Sequence, residues 1–162
     1  MTLVELVITM VVISIIGGIA FSKISSPAAL TIGQQADLFS NQIRHAQSLA
    51  QTWGCQLTLI VSTTGYEVRN KNIVTGKTKC SSANTIIKDP STNQNFTTTL
   101  KHGVLFSAPA IGTFDFDIKG IPTDNATGIM LANPVTYTMN ASGKTYTISI
   151  SNITGFVSVT SP

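Results

Sequence analysis

Residues 1–21, MTLVELVITMVVISIIGGIAF, form an almost unbroken apolar run whose single charge, Glu5, stands one helical turn from the amino end. As a helix at about 1.5 Å per residue the run is roughly 32 Å long, close to the thickness of a bilayer's hydrocarbon core. It is long enough to span a membrane, and the more polar chain beyond it reads as a globular head. A cleaved secretory signal fits poorly, because such signals carry a basic amino-terminal region and no Lys or Arg precedes Lys23. A plain anchor fits poorly too. A carboxylate inside a bilayer costs about 2.5 to 3.5 kcal/mol on insertion scales, less near a helix end, so Glu5 calls for a partner. The amino terminus of a neighbouring copy is the nearest suitable amine. Two opposite charges about 4 Å apart attract by roughly 4 kcal/mol at an effective dielectric near 20, enough to set the stagger between subunits.

Met1-Thr2-Leu3-Val4-Glu5-Leu6-Val7 at the head of a long apolar helix resembles the mature amino terminus of type IV pilins and of the pseudopilins of type II secretion. The family usually begins with Phe, and this chain has Met. The resemblance implies cleavage by a prepilin peptidase just before Met1, N-methylation of Met1, and a registry role for Met1 and Glu5 between subunits. It also implies an inner-membrane location before assembly and a pilus or periplasmic pseudopilus afterwards, with the head exported.

The chain has 162 residues, enough for one domain plus its anchor. Only 10% of residues are charged, against about 25% in globular domains, and Ser, Thr and Asn take over the surface role. A net charge of +3 spread along the chain is weak support for nucleic acid. Cys55 and Cys80 are the only cysteines and lie outside any CxxC or His cluster, which argues against a metal site. In an exported head a Cys55–Cys80 disulfide is the default reading, with two buried free thiols as the alternative.

Gly17, Gly18 and Pro27 weaken the first helix. Each glycine costs about 1 kcal/mol relative to Ala, and Pro27 removes a backbone donor. These residues either let neighbouring helices pack closely or form a joint that bends when the subunit leaves the bilayer. Helical periodicity resumes over 36–53, where Phe39, Ile43, Ala46, Ala50 and Trp53 mark one apolar face and Gly54 the stop. Arg44 and His45 read as a solvated flank.

From residue 56 the period changes to two. Residues 57–61 and 66–69 flank a turn at Thr64-Gly65 and predict a hairpin, and 72–88 a loop holding Cys80. Residues 89–95 read as a loop by composition. Strand patterning returns at 104–106 and 112–118, with Phe114, Phe116 and Ile118 on one face and Asp115 and Asp117 on the other as solvated acids. Too few oxygen ligands accompany those acids for calcium. Four further strands are predicted at 128–132, 135–139, 145–150 and 155–159. The expected architecture is α+β, a type IV pilin fold: residues 1–26 a transmembrane or filament-core helix, 27–53 its amphipathic half, and 54–162 an antiparallel β-rich head.

Within the superfamily the chain resembles the GspH/FimT-like minor pilins and pseudopilins. The carrying residues are Arg44-His45-Ala46-Gln47-Ser48-Leu49-Ala50, Phe114-Asp115-Phe116 with Gly120 and Pro122, and the final hairpin with Thr154-Gly155. This implies a minor pilin that primes or joins a filament near its tip by contacts with other pilin subunits. A minor pilin of a mannose-sensitive haemagglutinin type pilus is a narrower form of that reading. A tip module binding DNA or surface glycans, or a type II secretion pseudopilin, are the alternatives. DNA-binding members carry an Arg motif after the corresponding glycine, whereas Phe156-Val157 stands here. His45 and His102 fall in separate contexts, and no nucleophile elbow, zinc spacing or phosphate loop occurs, so neither an enzyme nor a cofactor is expected.

Overall fold

The computed structural model describes Glu5, Met10 and residues 27–72, 78–80, 82–107 and 112–161. Among the described residues, helix α1 (Pro27–Trp53) is followed by nine short strands: β1 (Leu57–Ser62), β2 (Gly65–Asn70), β3 (Thr97–Thr99), β4 (Leu105–Ser107), β5 (Thr113–Phe116), β6 (Pro122–Asp124), β7 (Val135–Ala141), β8 (Lys144–Ile150) and β9 (Val157–Thr160). The strands form two antiparallel sheets, ordered β3-β2-β1-β5-β6 and β4-β7-β8-β9. The helix packs on β7, β8 and β9 and also touches β1 and β5, so one core lies between it and both sheets.

The apolar stripe explains that seating. Ile32, Ala36, Phe39, Ile43, Ala46 and Ala50 recur at alternating steps of four and three, and all are buried. The stripe begins a turn before the predicted start at residue 36, and Gly33 lies inside the helix. A side chain at Gly33 would meet the Tyr146 hydroxyl at 3.1 Å, so this glycine permits close approach of β8. At the other end Gly54 takes a positive φ of 62°, and the Cys55 N–H donates to Ala50 O at 3.2 Å. That is a left-handed helix cap, a backbone conformation in which Gly avoids the steric cost of a side chain.

Several expectations are corrected. The β1–β2 turn is Thr63-Thr64, and Gly65 is already in β2 opposite Ser62. A Cβ on Gly65 would stand 2.4 Å from Thr98 O, so the glycine is needed for β3 to pair there. Residues 128–132 form no strand. Only Met130 makes a bridge, to Thr123, while Ile129 and Met130 face solvent. Their apolar sequence mimics a strand, but the preceding turn, in which Asp124 accepts from the N–H groups of Ala126 and Thr127, leaves them outside the sheet. Strand β5 ends at Phe116, which puts Ile118 in a turn at 54% exposure, away from the buried Phe114 and Phe116.

Cys55 and Cys80 are joined by a disulfide with Cα atoms 6.1 Å apart, an ordinary separation for such a bridge. It ties the start of β1 to the short 3-10 turn Thr78–Cys80. Closing 25 residues of chain this way stabilises a fold by about 3 kcal/mol in the chain-entropy model.

Burial pushes the Tyr66 phenol from 10.0 up to about 12. The Thr98 side chain offsets part of that rise, without a well-formed hydrogen bond to the hydroxyl. Burial also raises Tyr137. Because the folded state favours the neutral phenol, this contribution is complete below pH 10 and is lost as pH rises through the folded value. The Tyr66 shift is worth about 3 kcal/mol over that window. Unfolding midpoints should therefore fall steeply above pH 10, and Tyr66→Phe should flatten the fall. An unchanged slope would count against the assignment.

Candidate functional site

Glu5 and Met10 are helical and exposed. Met1, Gly17 and Gly18 lie outside the described residues, as does the rest of the apolar run, while Pro27 stands at the first described turn of α1. Among the described residues no helix is long and apolar enough to cross a membrane.

The described part of the site is the place where the sequence motifs meet. Arg44 Nη2 donates to Val157 O at 2.8 Å, which anchors α1 to the edge of β9. Gln47 Nε2 donates to both Gly120 O and Thr154 O at 2.9 Å. One turn further on, Gln51 Nε2 donates to Lys119 O at 2.8 Å. Thus three polar side chains on successive turns of α1 hold the β5–β6 turn and the β8–β9 turn. Arg44 is exposed, as a solvated flank would be, and also serves as an anchor, while the half-buried His45 ring lies 5.7 Å from that of Phe96. The stretch 44–50, Gly120 and Thr154-Gly155, far apart in sequence, form one cluster. Their order in the chain revealed the motifs but not their convergence.

Local chemistry fixes the same turns from within. Asp117 Oδ1 accepts from the N–H groups of Lys119 and Ile121 at 2.9 and 2.7 Å. Asn152 Nδ2 donates to Leu131 O and Ala132 O, which brings the 128–132 segment alongside. The backbone N–H of Thr127, then its hydroxyl, holds the Asp124 carboxyl below the usual range. On these braced turns Ile118, Ile129, Met130, Ile153 and Phe156 are exposed between 51% and 67%.

A second surface feature is a shallow groove of about 380 Å³ between the first half of α1 and the β3–β4 connection, with Leu38 and His102 in its lining. Gln35 clamps its edge, donating to Lys101 O at 3.0 Å and accepting from Lys101 N at 2.9 Å.

Of the two strand acids, Asp117 serves its turn. Asp115 is only 1% exposed and ion-paired with Lys71 at 2.7 Å, so the expectation of two solvated acids is corrected. Alternation along β5 places Asp115 on the face away from Phe114 and Phe116, yet that face is covered. Among the described residues no three His, Cys, Asp or Glu side chains gather as a metal would require.

Gly155 shows how tightly the turns are held. Its φ is 69°, and a Cβ there would lie 2.3 Å from Gln47 Nε2 and 2.7 Å from Gly120 O. Gly155→Ala should cost about 3 kcal/mol, from left-handed strain plus the displaced Gln47 bonds. Gly128, with the same φ of 69° and open space around it, should lose only about 1 kcal/mol on Gly128→Ala. Urea midpoints of the two variants measure the difference, and equal losses would remove the packing role.

One helix, α1, packed as the spine of an antiparallel head defines the class: this is the type IV pilin fold. The chain is similar to the minor pseudopilin EpsH of the Vibrio cholerae type 2 secretion system, with a TM-score of 0.53 at 15% identity, over 82% of this chain and 98% of that one. It is also similar to the Pseudomonas aeruginosa type IV minor pilin FimU, with a TM-score of 0.55 at 12% identity, over 81% of this chain and 92% of that one. A second crystal form of FimU gives 0.53 at 12% identity, over 80% and 96%. No protein-family model matches the sequence, and no curated protein matches it.

Proposed function

We propose that the chain is a minor pilin, a structural subunit that primes or joins a type IV filament near its tip through its hydrophobic amino-terminal helix. The observation that carries this reading is the joining of two features in one chain. An apolar run bearing Glu5 precedes a helix-and-sheet head, in a chain similar in fold to the solved chains of a minor pilin and of a minor pseudopilin. In this reading a prepilin peptidase frees Met1, which is then methylated. Met1 and Glu5 set the register with neighbouring pilin subunits, and Gly17, Gly18 and Pro27 form the joint between the buried segment and α1. The subunit waits in the inner membrane and then enters the filament.

The likeness to EpsH favours a second reading, a pseudopilin of a secretion system. Shearing filaments from cells that carry an epitope-tagged chain separates the two. Recovery with the sheared filaments is expected for a minor pilin. Absence there, together with a secretion defect on deletion, would replace the pilus reading with the pseudopilus one.

A further inference from the structure

The buried face of β5 brings a primary amine, a carboxyl group and a carboxamide together. Lys71 Nζ stands 2.7 Å from Asp115 Oδ2. Asn125 Nδ2 donates to the other oxygen, Asp115 Oδ1, at 2.8 Å. Thr58, opposite Asp115 in the β1–β5 ladder, donates its hydroxyl to the same Oδ1 at 2.7 Å and fixes the orientation of the carboxyl. Lys71 Nζ also donates to the backbone oxygen of Asn125, so the amine is held against the residue whose amide the carboxylate grips. The Asp115 side chain is 2% exposed and that of Lys71 24%.

One carboxyl bridging an amine and a carboxamide, one oxygen to each, is placed to move protons between them. Across the 2.7 Å contact a proton of Nζ can pass to Asp115 Oδ2, which gives an amine and a carboxylic acid. The neutral amine is a nucleophile, and fixed proximity replaces a bimolecular encounter. We propose that this cluster closes an amide bond between the side chains of Lys71 and Asn125, with Asp115 as its acid–base group. Lys71 Nζ attacks Asn125 Cγ. Asp115 gives its proton to the departing Nδ2 and takes one from Nζ. The Nζ–Cγ bond forms, the Cγ–Nδ2 bond breaks and one ammonia leaves. No oxidant or co-reactant enters. The product is a neutral amide beside a neutral carboxylic acid, a covalent tie between the end of β2 and the turn after β6.

Tryptic mapping of the reduced and alkylated full-length protein, purified in detergent, tests this directly. Trypsin should fail to cut after Lys71. Residues 70–77 should emerge joined to residues 120–144, at the sum of the two peptide masses less one ammonia. Free cleavage after Lys71 with a linear 120–144 peptide would overturn the proposal. A joined species lighter by one water and containing residues 102–119 would also overturn it, by placing the bond on Asp115. In Asp115→Asn, checked for native near-ultraviolet circular dichroism, the joined peptide should disappear, and its persistence would remove Asp115 from the reaction. Should that variant not fold, the wild-type map alone decides whether the bond exists.

Discussion

Glu5→Ala should lower recovery of the chain in sheared filaments by tenfold or more while leaving its amount in the membrane fraction unchanged. An attraction of roughly 4 kcal/mol between opposite charges about 4 Å apart corresponds to nearly three powers of ten in association, before the desolvation cost of both charges is subtracted. A net loss of one to two powers of ten follows. The head is expected to keep its fold, because its described core is built from side chains between Ile32 and Val157 and none of them belongs to the apolar run. Glu5→Gln separates charge from shape: it keeps the size and one hydrogen-bonding oxygen, and should fall close to Glu5→Ala if an amine is the partner. Quantitative immunoblots of sheared and cell-associated fractions give the ratio. Normal incorporation of both variants would defeat the registry role of Glu5.

Much of the framework was legible in the residues, because two periodicities dominate it. Steps of four and three place Phe39, Ile43, Ala46 and Ala50 on one side of α1, and all are buried. Alternation from Leu57 to Ser62 and from Val135 to Ala141 likewise marks strands whose inward residues are core. Strands β3 and β6 were not foreseen, since three residues hold no period and Thr97-Thr98-Thr99 has no apolar face. Ile129 and Met130 misled in the opposite direction. An apolar pair is only permitted to be buried, and here the turn chemistry of Asp124 keeps it out.

The polar core was the least legible part. Alternation assigned Asp115 a face, but what covers that face comes from Lys71 and Asn125, and no local pattern links either to β5. The same holds for the clamp on the two turns. Gln47 and Gln51 look like ordinary hydrophilic helix positions, and only the crossing of α1 over β9 and the β5–β6 turn turns them into ties.

Phe39→Ala should be the most damaging single change in the head, at about 4 kcal/mol. The Phe39 ring is the point where the helix meets both sheets: it lies 4.6 Å from the ring of Tyr66 in β2, 4.8 Å from Phe106 in β4 and 5.5 Å from Tyr137 in β7. Its removal leaves a void bordered by strands of both sheets, β2 on one side and the paired β4 and β7 on the other, each held in its ladder, so none of them can readily move in to fill it. Both the lost transfer energy and the cavity term therefore apply. Aromatic contact energies of about 1 kcal/mol are lost with them. Phe39→Leu keeps most of the volume and should cost only about 1.5 kcal/mol, and Leu38→Ala next door, at 45% exposure, under about 1 kcal/mol. Thermal unfolding should show the order, with a drop of about 15 °C for Phe39→Ala at this domain size. A marginal domain holds about 5 to 15 kcal/mol, so the variant should be scarce in cells. The fraction of surviving protein that enters filaments should nevertheless match wild type. That outcome is the reverse of Glu5→Ala, which leaves abundance alone and changes the ratio; a Phe39→Ala protein of normal abundance and poor incorporation would mean that the helix–sheet junction serves assembly and not the fold.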